Sequence, residues 1–116
     1  MKTEVIESRK GGLSRCHLGE GERIASARDF LNLLVNCATD TIVIEKDALV
    51  PDFFDLRSGL AGECLQKASN YGRRLIVLGE YGDIPGKALK DFIYESNRTG
   101  KVIFSGDLEG AIDLLR

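Results

Sequence analysis

The stretch Thr41-Ile-Val-Ile-Glu-Lys-Asp-Ala-Leu-Val-Pro-Asp-Phe-Phe-Asp-Leu-Arg-Ser-Gly-Leu-Ala-Gly-Glu-Cys-Leu65 decides the fold. A short apolar segment, Thr41 to Glu45, runs into a polar loop. The loop ends in Asp55-Leu56-Arg57-Ser58-Gly59-Leu60, where a helix is expected to start. A strand feeding a helix puts loop side chains and free helix N–H groups at one edge of a sheet, where α/β proteins place their sites. The strand is apolar on both sides, which suits a central position covered on both faces.

The pattern repeats downstream. Pro51 suits the first turn of a short helical segment through Phe53 and Phe54. A helix near Ser58 to Tyr71 points Leu60, Ala61, Cys64, Leu65 and Ala68 inward, and Gly72 ends it. Arg74 to Gly79 reads as a second apolar strand. A helix from Pro85 carries Ala88, Leu89, Phe92 and Ile93 inward, with Asn97 and Gly100 at its end. Lys101 to Ser105 is a third strand, and Asp107 to Leu115 a last helix.

Upstream, Ser26 caps a helix, with Asp29 three residues on in the manner of a capping box. Its inward face is Ala27, Phe30, Leu31, Leu34 and Ala38. Lys2 to Ser8 and Leu13 to Leu18 alternate loosely around Gly11-Gly12, a β-hairpin pattern. The order β-β-α-β-α-β-α-β-α predicts one α/β domain over residues 1–116. It has a mixed, mostly parallel sheet of about five strands, with a hairpin in 1–20 and the alternating part in 24–116.

The chain has 116 residues, 16 basic and 18 acidic, for a net charge of −2. The charges are interspersed, so no concentrated basic face is offered to nucleic acid. No apolar run approaches the roughly 20 residues of a membrane span. The N-terminal MKTEVIESRKGG is too polar for a signal peptide, and a cytoplasmic location is expected. Cys16, Cys37 and Cys64 are widely spaced, without CxxC, and there is one histidine, His17. That leaves few soft ligands for zinc and points to reduced thiols, with Cys37 and Cys64 as small core residues. Adjacent residues on a strand face opposite ways, so Cys16 and His17 form no nucleophile pair.

From about Ile24 onward the chain resembles a bacterial family known as domain of unknown function 4180. The resemblance rests on Asp52-Phe-Phe-Asp-Leu-Arg-Ser-Gly-Leu-Ala-Gly-Glu63, Gln66-Lys67, Asn70-Tyr71 and Asp91-Phe-Ile-Tyr-Glu-Ser-Asn-Arg98. That family has no known activity, so the resemblance implies no catalytic residues. A looser resemblance is to the STAS domains of anti-sigma-factor antagonists. It rests on Asp55-Leu-Arg-Ser-Gly-Leu60 and Asp107-Leu-Glu-Gly-Ala111, with a longer loop and Arg57 beside the serine. It implies a STAS-like fold and a phosphorylatable serine, Ser58.

At a helix start, Ser58 accepts backbone N–H bonds, and Arg57 and the helix dipole would favour a phosphate there. A plain capping role needs the same residue. Asp47, Asp52, Asp55 and Glu63 could gather near the loop to hold a metal or move a proton, though solvated acids at loops and helix starts look the same. Glu80-Tyr81-Gly82-Asp83 and Ser105-Gly106-Asp107 follow parallel strands and should share an edge with Ser58. Gly79 to Gly82 lacks the lysine and Ser/Thr of a phosphate loop.

These features predict a non-enzymatic regulatory module that binds an unidentified protein partner. No catalytic set, metal site or cofactor is expected, and no nucleic-acid or membrane partner. The candidate partner, ligand or phospho-switch residues are Ser58, Arg57, Asp55, Gly59, Glu45, Glu80 and Ser105. The alternative is a small-molecule-binding protein or enzyme using this polar rim at the carboxyl ends of the strands. A homodimer through the hairpin edge is a further expectation.

Overall fold

The computed structural model describes residues 1–116. Five strands, β1 (Lys2–Ser8), β2 (Gly11–His17), β3 (Thr41–Glu45), β4 (Arg74–Leu78) and β5 (Val102–Ser105), form one sheet in the order β1-β2-β3-β4-β5. The helices are α1 (Ala27–Val35), α2 (Leu60–Asn70), α3 (Lys87–Thr99) and α4 (Leu108–Leu114). Between β3 and α2 the chain makes three 3-10 turns, Lys46–Ala48, Pro51–Phe54 and Leu56–Ser58.

The sheet is mixed rather than mostly parallel as expected. Its longest register, from Lys2↔His17 to Ser8↔Gly11, is antiparallel, and the three shorter ones, β2–β3, β3–β4 and β4–β5, are parallel. A tight turn between β1 and β2 lets all seven residues of each strand pair, whereas β2 meets β3 at only three positions. Gly11 takes φ of 101° in this turn, a left-handed conformation that glycine adopts at little cost.

Sequential strand order fixes the layers. Right-handed crossovers between adjacent parallel strands send α1, α2 and α3 to the same face. Ile42, Ile44, Leu75, Val77 and Phe104 point to that face and pack with Phe30, Leu34, Cys64, Ala68 and Ile93 from the three helices. The alternate residues Leu13, Val43, Ile76, Leu78 and Ile103 point the other way. A smaller cluster covers them with Ala111, Ile112 and Leu115 at the end of the chain. Four of the five residues of β3 are buried, as its two-sided apolar character required.

Polar groups finish the element ends. Ser26 caps α1 by accepting from Asp29 N at 3.1 Å, and Asp29 accepts in return from Ala25 N at 3.0 Å. Lys10 Nζ donates to the carbonyls of Ile112, Asp113 and Leu115, a cation placed on the C-terminal end of α4. Asn97 lies inside α3 rather than ending it. Its side chain donates to Phe104 O at 3.0 Å and accepts from Phe104 N at 2.8 Å. β5 is an edge strand, so one amide side chain stands in for the missing neighbour at that residue. No helix is long and apolar enough to cross a membrane.

Candidate functional site

The carboxyl ends of β3 and β4 open into a cleft of about 1160 Å³. One wall is the 46–58 segment with its 3-10 turns, and the other is the loop from Glu80 to Gly86 that leads into α3. Leu49, Pro51, Phe54, Ile84 and Leu89 give the cleft an apolar lining. Arg23, Lys46 and Arg57 bring positive charge, and Asp47, Asp55, Glu80 and Asp83 bring negative charge.

Lys46 joins the two walls. It follows β3 directly, and its Nζ donates to Glu80 O at 2.9 Å. The same ammonium lies 5.4 Å from the Phe54 ring centre and 5.0 Å from that of Tyr81, within range for cation–π attraction. Its aliphatic stem crosses Gly79, where a Cβ would come within 2.6 Å of Lys46 Cβ. Glycine at the end of β4 therefore makes room for the lysine. Phe54, Tyr81, Phe92 and Phe104 pack edge-on or tilted beneath it. Tyr81 donates its hydroxyl to Val77 O at 3.0 Å; burial, and then the charge of Glu45, push its pKa well above the usual tyrosine value.

Arg23 reaches the cleft through a short parallel bridge. Ile24 N donates to Ala48 O at 2.7 Å, and Val50 N donates to Ile24 O at 3.1 Å. These bonds clip the segment before α1 onto the 46–58 segment. The first turn of α3 also borders the cleft, at Gly86, Ala88 and Leu89, and carries no side-chain cap.

The seven residues singled out from sequence occupy three places. Asp55, Arg57 and Glu80 line the cleft. Asp55 accepts from Arg57 N at 3.2 Å and pairs with the Arg57 guanidinium at 3.4 Å, while the Arg57 side chain is 93% exposed. Ser58 and Gly59 lie just beyond it, at the start of α2. Ser58 Oγ donates to Asp52 O at 2.6 Å and accepts from Leu60 N at 3.2 Å, so the hydroxyl fastens the last 3-10 turn to the helix. Gly59 takes φ of 80° between them. Glu45 points to the α4 face of the sheet and pairs with Arg15 at 2.8 Å. Ser105 ends β5; its Oγ accepts from Asp107 N at 3.3 Å and sits 3.1 Å from Asp107 O, steadying the entry to α4.

Of the four acids considered as a cluster, Asp47 and Asp55 line the cleft and Asp52 and Glu63 do not. No group of three or more His, Cys, Asp or Glu side chains is arranged to hold a metal ion. His17 is exposed, 3.7 Å from Glu4, while Cys16 is buried on the opposite face. Sequence reasoning missed Arg23, Lys46 and Leu89 as cleft residues. Lys46 had a signal in its place directly after a strand. Arg23 had none, since only the Ile24–Leu49 bridge brings it near.

The family described as "Domain of unknown function (DUF4180)" matches residues 15–115. The match takes in the 46–58 segment and every residue of the cleft, and leaves β1 and the first half of β2 outside. No curated protein and no solved structure matches the chain. The chain belongs to the family of the domain of unknown function DUF4180.

Proposed function

We propose that this chain is a non-enzymatic regulatory binding module whose cleft receives an extended segment of a partner protein. The observation that carries the reading is the cleft itself, an open trough with an apolar lining and charges of both signs along its walls. Its volume of about 1160 Å³ exceeds the roughly 300–1000 Å³ usual for small-molecule pockets. A peptide fits such a lining. One or two apolar side chains would cover Leu49, Phe54 and Leu89, while its charges meet Arg57 on one wall and Asp83 on the other. The regulatory part of the reading is supported by the likeness of Asp55 to Leu60 to the switch segment of anti-sigma-factor antagonists.

A small-molecule ligand is the second reading, favoured by the concavity, because docking on a flat face needs no recess. Pull-down from native cell extract separates the readings, with wild type beside Arg57→Glu and Leu89→Asp. A specific partner retained by wild type and lost by both variants supports the proposal. A partner retained equally by all three chains removes it. A small metabolite co-purifying with wild type alone favours the second reading.

A further inference from the structure

Cys16 on β2 and Cys37, two residues beyond α1, bring their sulfurs to 3.3 Å from each other. Both side chains are buried, at 2% and 3% exposure. The pair lies only one layer beneath solvent. Cys16 pairs across the hairpin with Thr3 on the exposed edge strand β1, and Cys37 sits between exposed Asn36 and Ala38. We propose that Cys16 and Cys37 are a redox modification site that closes reversibly into an intramolecular disulfide, with a small hydroperoxide as oxidant.

The surroundings assign the two sulfurs different parts. Either thiol can donate in the Cys16–Cys37 hydrogen bond; with Cys16 as the donor, it holds the Cys37 thiol below its ordinary pKa and Cys16 above it. The Arg73 guanidinium adds to the effect at Cys37. It is fixed nearby by donating to Cys37 O at 2.9 Å and Thr39 O at 2.8 Å. A thiolate is the nucleophile in such chemistry, so Cys37 attacks first. Its sulfur takes one peroxide oxygen, the O–O bond breaks, and the departing oxygen leaves protonated as an alcohol or water. Cys37 is then a sulfenic acid. The Cys16 sulfur attacks it, the S–S bond forms, and hydroxide leaves as water with the Cys16 proton. Two thiols lose two electrons in all, and one hydroperoxide gains them. A dithiol reductant reverses the change. Cys64 is an internal control: it is buried with no thiol partner, and burial pushes its pKa up to about 11.

The test is peroxide treatment of the reduced full chain, followed by alkylation, intact mass and tryptic mapping. The expected product is a monomer lighter by two hydrogens, with free thiols falling from three to one. Peptide 16–23 is then joined to peptide 29–46, the bond is reversed by dithiothreitol, and Cys64 is alkylated. Cys64→Ser should give the same crosslink, and Cys16→Ala should stop at a Cys37 sulfenic acid trapped by dimedone. Three alkylatable thiols after treatment, a bond through Cys64, or only intermolecular disulfides would overturn the proposal. The wild-type and Cys64→Ser maps decide the matter even if Cys16→Ala does not fold.

Discussion

Replacing Ser58 by alanine removes one donor and one acceptor at once. The hydroxyl donates to Asp52 O at 2.6 Å, tying the last 3-10 turn to the turn before it, and accepts from Leu60 N at 3.2 Å, tying it to α2. The residue is exposed, so water can replace part of what is lost. Gly59, not Ser58, is the N-cap residue of α2, so the cost is that of two net hydrogen bonds, each about 0.5–1 kcal/mol at an exposed position. We therefore expect Ser58→Ala to cost about 1–2 kcal/mol. For a chain of 116 residues, about 1 kcal/mol corresponds to about 4 °C in Tm. The expected drop is thus about 4–8 °C in a circular-dichroism melt. Ser58→Thr keeps the hydroxyl and should fall between alanine and wild type. Ser58→Asp can still accept from Leu60 N, but it sets a carboxylate against Asp52 O, so it should be no more stable than alanine. The same repulsion would act on a phosphate at this position, detaching the Leu56–Ser58 turn that carries Arg57. A Ser58→Ala protein melting within about 1 °C of wild type, or a Ser58→Asp protein melting above Ser58→Ala, would refute this reasoning.

Other perturbations test the joints that shape the cleft and its supports. Asn97→Ala strips both backbone groups of Phe104 of their partner on an edge strand. It should cost about 1–3 kcal/mol in urea unfolding, with faster amide exchange confined at first to β5. Lys10→Met removes the cation bonded to three carbonyls at the end of α4 and should cost about 1–2 kcal/mol, with α4 losing exchange protection first. Gly79→Ala drives a Cβ to within 2.6 Å of Lys46 Cβ; we expect a loss of about 1–3 kcal/mol and displaced signals for Phe54 and Tyr81 in NMR spectra. Tyr81 supplies a pH dependence. Its pKa is raised in the folded state, so above pH of about 10 the unfolded chain ionises first, and stability falls as pH climbs. Tyr81→Phe should flatten that fall in melts run across alkaline pH.

The alternation of apolar strands and amphipathic segments made the element order legible, because each strand buries two faces and each helix one stripe. Strand Thr41–Glu45, strand Val102–Ser105 (expected one residue earlier, from Lys101) and the Ser26 cap could be read from residue type alone. The sheet's parallel and antiparallel balance was less legible, since it depends on how far the hairpin pairs, and that is set by turn geometry and not by composition. At the site, Asp55, Arg57 and Glu80 followed from the rule that loops after parallel strands share an edge. Glu45 and Ser105 obey the same rule in chain position, yet one pairs with Arg15 across the sheet and the other steadies α4. Pleat direction and local turns decide that, and neither shows in a loop's sequence. The role of Asn97 was hidden because an asparagine near a helix end usually ends the helix. The Cys16–Cys37 approach was hidden because 21 residues and a whole helix separate two sulfurs that meet only after folding.

The most direct test of the central claim places a photo-crosslinking amino acid at three positions in turn and irradiates each protein in native extract. Arg57 and Asp83 stand on facing walls of the cleft, and Val35 lies exposed at the end of α1, away from it. The account predicts that probes at Arg57 and Asp83 capture the same protein, through one contiguous stretch of its chain, and that the Val35 probe does not. Capture of that protein from Val35 as readily as from the two walls would contradict a partner seated in the cleft.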